Sequence, residues 1–244
     1  MSNPAARLHD ILSSAQRNPH SGPVLDGWRG VLGLPGSDIL SPLGVMSKLG
    51  HVYMLPEVVA KEIRRFPDLD PDLFLGWEED LTTAFRSVGF DQSFNDFRAR
   101  LSKSLLLNIR HCAFELERRA PEKEVAAEDL AEIRGAAAQL YDQIVGLNLP
   151  THLSRFLLDH LWMILEAVDN YQITGAPGLQ NSVDAAVGAV TTDPLTAREV
   201  GNSAEGKKFW DTVVSRAAVA LKMGKDFIQI ADIAARWLPG GGNS

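Results

Sequence analysis

The sequence predicts an all-α fold, a multi-helix bundle of about nine or ten helices that ends in a long amphipathic helix. Three observations carry the prediction. Apolar residues recur in steps of three and four along most of the 244-residue chain. Nowhere does apolar/polar alternation persist as a half-buried strand would require. Proline and glycine fall between the periodic stretches, where short connections belong.

The clearest stretch is Leu130, Ile133, Ala137, Leu140, Ile144 and Leu147, six apolar positions on one helical face. Before it, Phe94, Phe97, Leu101, Leu105, Cys112 and Leu116 mark a second long helix that Pro121 ends. Asp70 followed by Pro71 reads as an N-cap and first helical residue, with Phe74, Trp77, Leu81, Phe85 and Val88 as the stripe behind it. Thr151 caps a central helix running to about residue 172, with Leu153, Leu157, Leu161, Ile164, Val168 and Tyr171 on one side and Gly175 as its stop. Residues 4–16, 24–32, 39–49, 56–65 and 179–190 are shorter helical candidates, and only 51–55 hints at extension.

Residues 191–204 are polar, aperiodic and contain Pro194 and Gly201, so they read as a linker after a body spanning 1–190. Beyond it, 205–239 reads as one amphipathic helix. Trp210, Val214, Ala217, Leu221, Gly224, Ile228, Ala231, Ala235 and Leu238 repeat about every 3.5 residues, and a second apolar stripe runs beside them. Residues 240–244 are expected to be a disordered tail.

Composition narrows the functional classes. A net charge of −7 argues against a general nucleic-acid binder, which needs clustered Lys and Arg. Residues 1–204 hold 18 basic and 27 acidic residues, whereas 205–244 hold 6 and 4, so the last segment differs chemically from the body. One cysteine, Cys112, precludes an internal disulfide and fits a reducing compartment. The first eighteen residues carry Arg7, His9, Asp10 and Arg17, unlike a secretory signal, and the longest apolar run is too short to cross a bilayer. A cytoplasmic location is the expectation.

No motif specifies a reaction. Asp68, Asp70, Asp72 and Glu79 imitate a calcium loop, but Leu73 stands where the loop needs glycine and Pro71 starts a helix inside it. His160 lies on an apolar face and reads as a core histidine bonded to a carbonyl, and His152, eight residues away, is a poor co-ligand. Cys112 sits on an apolar stripe and diverges from its neighbour His111, so it reads as core. Gly201, Ser203 and Gly206 resemble a nucleophile elbow, but the spacing is one residue too long and no strand precedes it, so Ser203 reads as a linker serine. Gly27, Gly30, Gly33 and Gly36 read as turn or close-packing glycines. The candidate ligand face is Arg155, Asp159, Trp162 and Glu166, two carboxylates straddling a tryptophan, although both come from one helix.

The leading expectation is a non-enzymatic helical interaction or regulatory module. It assembles with itself or another protein through Trp210, Val214, Leu221, Ile228 and Leu238 of the C-terminal helix, without metal or cofactor. An alternative is a small-molecule enzyme or sensor with an interhelical pocket. A third is a membrane-active effector that releases the C-terminal helix, a reading its modest positive charge weakens.

Overall fold

The structure, a computed structural model, describes residues 3–34, 42–86, 89 and 92–223. It is all-α, with no strand among the described residues. The chain divides into two compact units, 1–122 and 123–244. That division differs from the expected body of 1–190, because residues 123–190 share a core with the residues that follow them.

Unit 1 begins with α1 (Pro4–Arg17), whose cap, Asn3, accepts a hydrogen bond from the Ala6 amide at 3.0 Å. The Asn3 amide donates to the carbonyl of Ala113 and to Glu117, so one buried side chain both starts α1 and fastens it to α7 (Lys103–Arg119). Leu8, Leu12 and Ala15 fill the space between them. In α2 (Val24–Val31), fully buried Trp28 meets Phe94 and Phe97 of α6 (Phe94–Arg100) at 5.9 and 5.1 Å between ring centres. Gly27 makes this approach feasible, since a Cβ there would lie 2.3 Å from the Phe94 ring.

Three local expectations for unit 1 are corrected. The two helices proposed around residues 51–55 are one, α3 (Pro42–Arg64), which passes through Pro56. Its stripe of Val45, Leu49, Val52, Leu55, Val59 and Ile63 is buried along its length, and that packing outweighs the hydrogen bond lost at proline. The single helix expected over 94–116 is two, because the Ser102 hydroxyl accepts from the Leu105 amide and starts α7 afresh. Likewise, the stripe after Asp70 splits into α4 (Pro71–Leu75) and α5 (Glu78–Arg86). Val88 and Gly36 lie outside the described residues.

Unit 2 comprises α8 (Ala127–Val145), α9 (Thr151–Asp169), α10 (Tyr171–Thr192), α11 (Pro194–Asn202), α12 (Ala204–Phe209) and α13 (Ser215–Ala220), with a π turn at Trp210–Val214 joining the last two. Ile133, Ala137, Leu140 and Ile144 of α8 pack against Leu153, Phe156, Leu157, Leu161 and Ile164 of α9, as the periodicity predicts. The helix begun at Thr151 ends at Asp169, earlier than expected, and Gly175, at φ +67°, instead kinks the following helix α10 a turn after its start.

The stretch 191–204 is helical rather than a linker. Pro194 is the first residue of α11 and Asp193 its cap, accepting from the Leu195 amide, while Thr196 and Val200 are buried. Ser203 is a cap rather than a linker serine, its hydroxyl accepting from the Gly206 amide. The expected 205–239 helix is interrupted too. Its described part ends at Ala220, and Lys222 takes a left-handed backbone at φ +50°. Ile228, Leu238 and the 240–244 tail lie outside the described residues.

Two substitutions test this account. Gly206→Ala would place a Cβ 2.1 Å from the Val200 carbonyl oxygen, so it should lower unit 2 stability by about 2 kcal/mol or more in urea unfolding. Leu221→Glu puts a charge into a core position and should destabilise unit 2 by about 3 kcal/mol or more. Unchanged stability with altered mass for Leu221→Glu would restore the residue to an assembly surface.

Candidate interaction surface

Where the short helix α4 meets α7, unit 1 leaves apolar side chains uncovered. The α7 face that carries Leu105, Ile109, Cys112 and Leu116 is buried, and Leu107, His111 and Phe114 share the opposite one. Leu107 is 51% and Phe114 63% exposed. Helix α4 lies against α7 but has only five residues, so it covers one part of that helix and itself presents Leu73 at 73% exposure. Leu73, Phe74, Asn108, His111, Phe114 and Glu115 together line a hollow of about 300 Å³.

The walls are fixed from behind. Cys112 is buried, and its thiol donates to the Phe74 carbonyl at 3.1 Å, tying α4 to α7 beneath the hollow. Burial pushes that thiol's pKa up, which suits the expected core role. Glu115 accepts from Arg118 at 2.7 Å and from Arg119 at 3.0 Å, and these bonds hold its carboxyl below the ordinary range. Arg119 also reaches Asp68, and its guanidinium sits 5.5 Å from the Phe66 ring centre. Asp70 spends one oxygen capping α4 through the Asp72 amide. These carboxylates of the calcium-like stretch therefore serve separate local tasks.

The residues singled out from sequence lie elsewhere. Trp210, Val214 and Leu221 are buried in the unit 2 core among Ile133, Leu157, Leu161 and Val183, so they are packing positions and not an exposed assembly face. No helix of the described residues is long and apolar enough to cross a membrane. On α9, Arg155 pairs with Asp159 at 3.6 Å on an open face, and Trp162 is 61% exposed. Glu166 follows one turn later, half-buried. His160 bonds through Nδ1 to the Phe156 carbonyl at 2.8 Å, the carbonyl contact expected of it, though it is half-buried rather than core.

Sequence reading missed one polar cluster. His152, in the first turn of α9, has Nδ1 2.8 Å from Glu199 and Nε2 2.9 Å from the Thr196 hydroxyl, both on α11. That hydroxyl donates to Asp193 at 2.6 Å, and Asp193 lies 3.5 Å from Nε2. The two carboxylates approach opposite ring nitrogens, so they do not converge on a common metal position. The bond to Glu199, with the charges of Glu199 and Asp193, raises the His152 pKa above 6.5. The Thr196 hydroxyl and Leu195 amide hold Asp193 below its ordinary value.

Compared with known proteins, the chain matches no family model, no curated protein and no solved structure. The surface is therefore interpreted from its own chemistry.

The His152 cluster sets a pH dependence whose sign is fixed. With its folded pKa raised, His152 contributes stability fully below 6.5 and loses it as pH rises through the raised value. The lowered pKa of Asp193 acts at the other end, its contribution disappearing only in acid. The melting temperature of the native chain should thus decline more from about pH 6 to 8.5 than that of His152→Gln. Parallel curves would show that the imidazole charge plays no part in holding α11.

Proposed function

We propose that this protein is a non-enzymatic interaction module that recruits another protein through the α4/α7 hollow. The observation that carries this reading is the coincidence of Leu73 and Phe114, both largely exposed, on the walls of one depression with buried, hydrogen-bonded backing. Exposed apolar side chains scattered singly need no explanation, but large ones gathered around a concave site are the usual form of a binding anchor. At about 300 Å³ the hollow is at the lower end of the range for small-molecule pockets. It suits one or two side chains of a docking helix, with the exposed length of α7 continuing the contact.

This reading keeps the interaction class expected from sequence and moves its principal surface. Any contribution from Ile228 and Leu238 falls outside the described residues. The small-molecule and released-helix readings have no comparable observation in their favour.

A photo-crosslinking residue at position 114 of the full chain, introduced in the cells that make the protein, tests the proposal. It should give a discrete adduct that Leu73→Asp reduces at least about 10-fold, since removing one anchor costs on the order of 1–2 kcal/mol. The same probe at position 162 should not give that adduct. Equal capture at both positions, or none at 114, overturns the reading.

A further inference from the structure

Resting on that reading, we propose a partner class: the hollow takes the apolar face of an amphipathic helix that carries Lys and Arg along its flank. The argument is charge complementarity around an apolar centre. The segment supplying Leu73 and Phe74 also carries Asp68, Asp70, Asp72, Glu78, Glu79 and Asp80. Arg119 occupies Asp68 and Arg64 occupies Glu78. Asp70, Asp72, Glu79 and Asp80 are exposed and enter no ion pair among the described residues.

On the facing helix, the Arg118 and Arg119 guanidinium groups are committed to Glu115, and Arg119 to Asp68 as well. Lys103 and Arg110 are the exposed cations of α7 outside the ion pairs of the described residues, two against the four carboxylates of the neighbouring segment. The segment that borders the hollow is thus acidic in excess, and those carboxylates are largely uncompensated. An apolar hollow walled in part by that acidic segment selects a ligand that pairs apolar anchors with flanking cations, and repels one flanked by carboxylates. The geometry fits a helix better than an extended strand, because the described wall is a helix face and offers no unpaired sheet edge.

Two synthetic helical peptides test the assignment. They share one apolar face, with Leu and Phe spaced three and four apart, and differ only in carrying Lys or Glu elsewhere. Binding to the full chain is measured by calorimetry at low and high salt. The Lys peptide should bind at least about 10-fold more tightly than the Glu peptide at low salt, with the gap narrowing as salt screens it. The triple variant Asp72→Asn, Glu79→Gln, Asp80→Asn should reduce that preference to about 3-fold or less. Leu73→Asp with Phe114→Asp should abolish binding of the Lys peptide, and because both side chains are exposed, an unchanged melting curve serves as the folding control.

Equal binding of the two peptides overturns the charge assignment while the interaction reading stands on its crosslink. Binding that survives Leu73→Asp with Phe114→Asp overturns the location. Failure of both peptides overturns the partner class, and a crosslink at position 114 would then show that the hollow serves a partner of other chemistry.

Discussion

The close approach of Gly206 to the Val200 carbonyl decides the arrangement of unit 2. Only a residue without a Cβ can bring the start of α12 that near the end of α11, since the missing atom would overlap the oxygen at 2.1 Å. Ser203 closes the corner by capping α12. From there the chain runs back across α8 and α10, and Phe209, Val213, Val214, Ala217 and Leu221 enter the core. Burying a side chain of the size of valine, leucine or phenylalanine contributes about 1.5–3 kcal/mol, so several together rival the net stability of a domain. Transferring these residues to a partner would forgo that burial.

Unit 1 answers to caps rather than to a glycine corner. Asp70 and Ser102 each restart a helix inside an apolar pattern that would otherwise run on, and Asn3 joins α1 to α7. Because α4 is cut to five residues, it shields too little of α7 to bury Leu107 and Phe114. The hollow is a consequence of where the caps fall. The thiol of Cys112 then keeps the short helix in place, donating to a carbonyl that could otherwise lack a partner.

Periodicity made the helical class and most buried faces readable, because the spacing of Ile133 to Ile144 and of Leu153 to Ile164 admits one orientation only. What it could not reveal was where a helix stops when apolar residues continue through the stop. Pro56 reads as a boundary and is interior to α3, whereas Pro194 reads as a linker residue and begins α11. The difference lies in whether the preceding residue can cap, as Asp193 does, or belongs to a buried stripe, as Leu55 does. For Trp210, Val214 and Leu221 the apolar stripe was legible, but a stripe is equally suited to a core or to a partner. A signal for the exposed face of α7 did exist: Leu107 and Phe114, the latter a wall of the hollow, are seven residues apart and lie off the stripe assigned to their helix.

The polar clusters sharpen the contrast between tether and site. A catalytic base needs a lone pair directed at substrate, with its other nitrogen oriented by a partner. In the His152 cluster both ring nitrogens are engaged, one with Glu199 and one with a hydroxyl of buried Thr196 that already bonds Asp193. The groups satisfy one another, which is the behaviour of a surface latch between α9 and α11. Arg155 and Asp159 likewise neutralise each other on a solvated face. Leu73 and Phe114 differ in kind, for among the described residues both apolar side chains remain largely in water. That unrelieved cost, held in place by buried hydrogen bonding, is what an association would relieve.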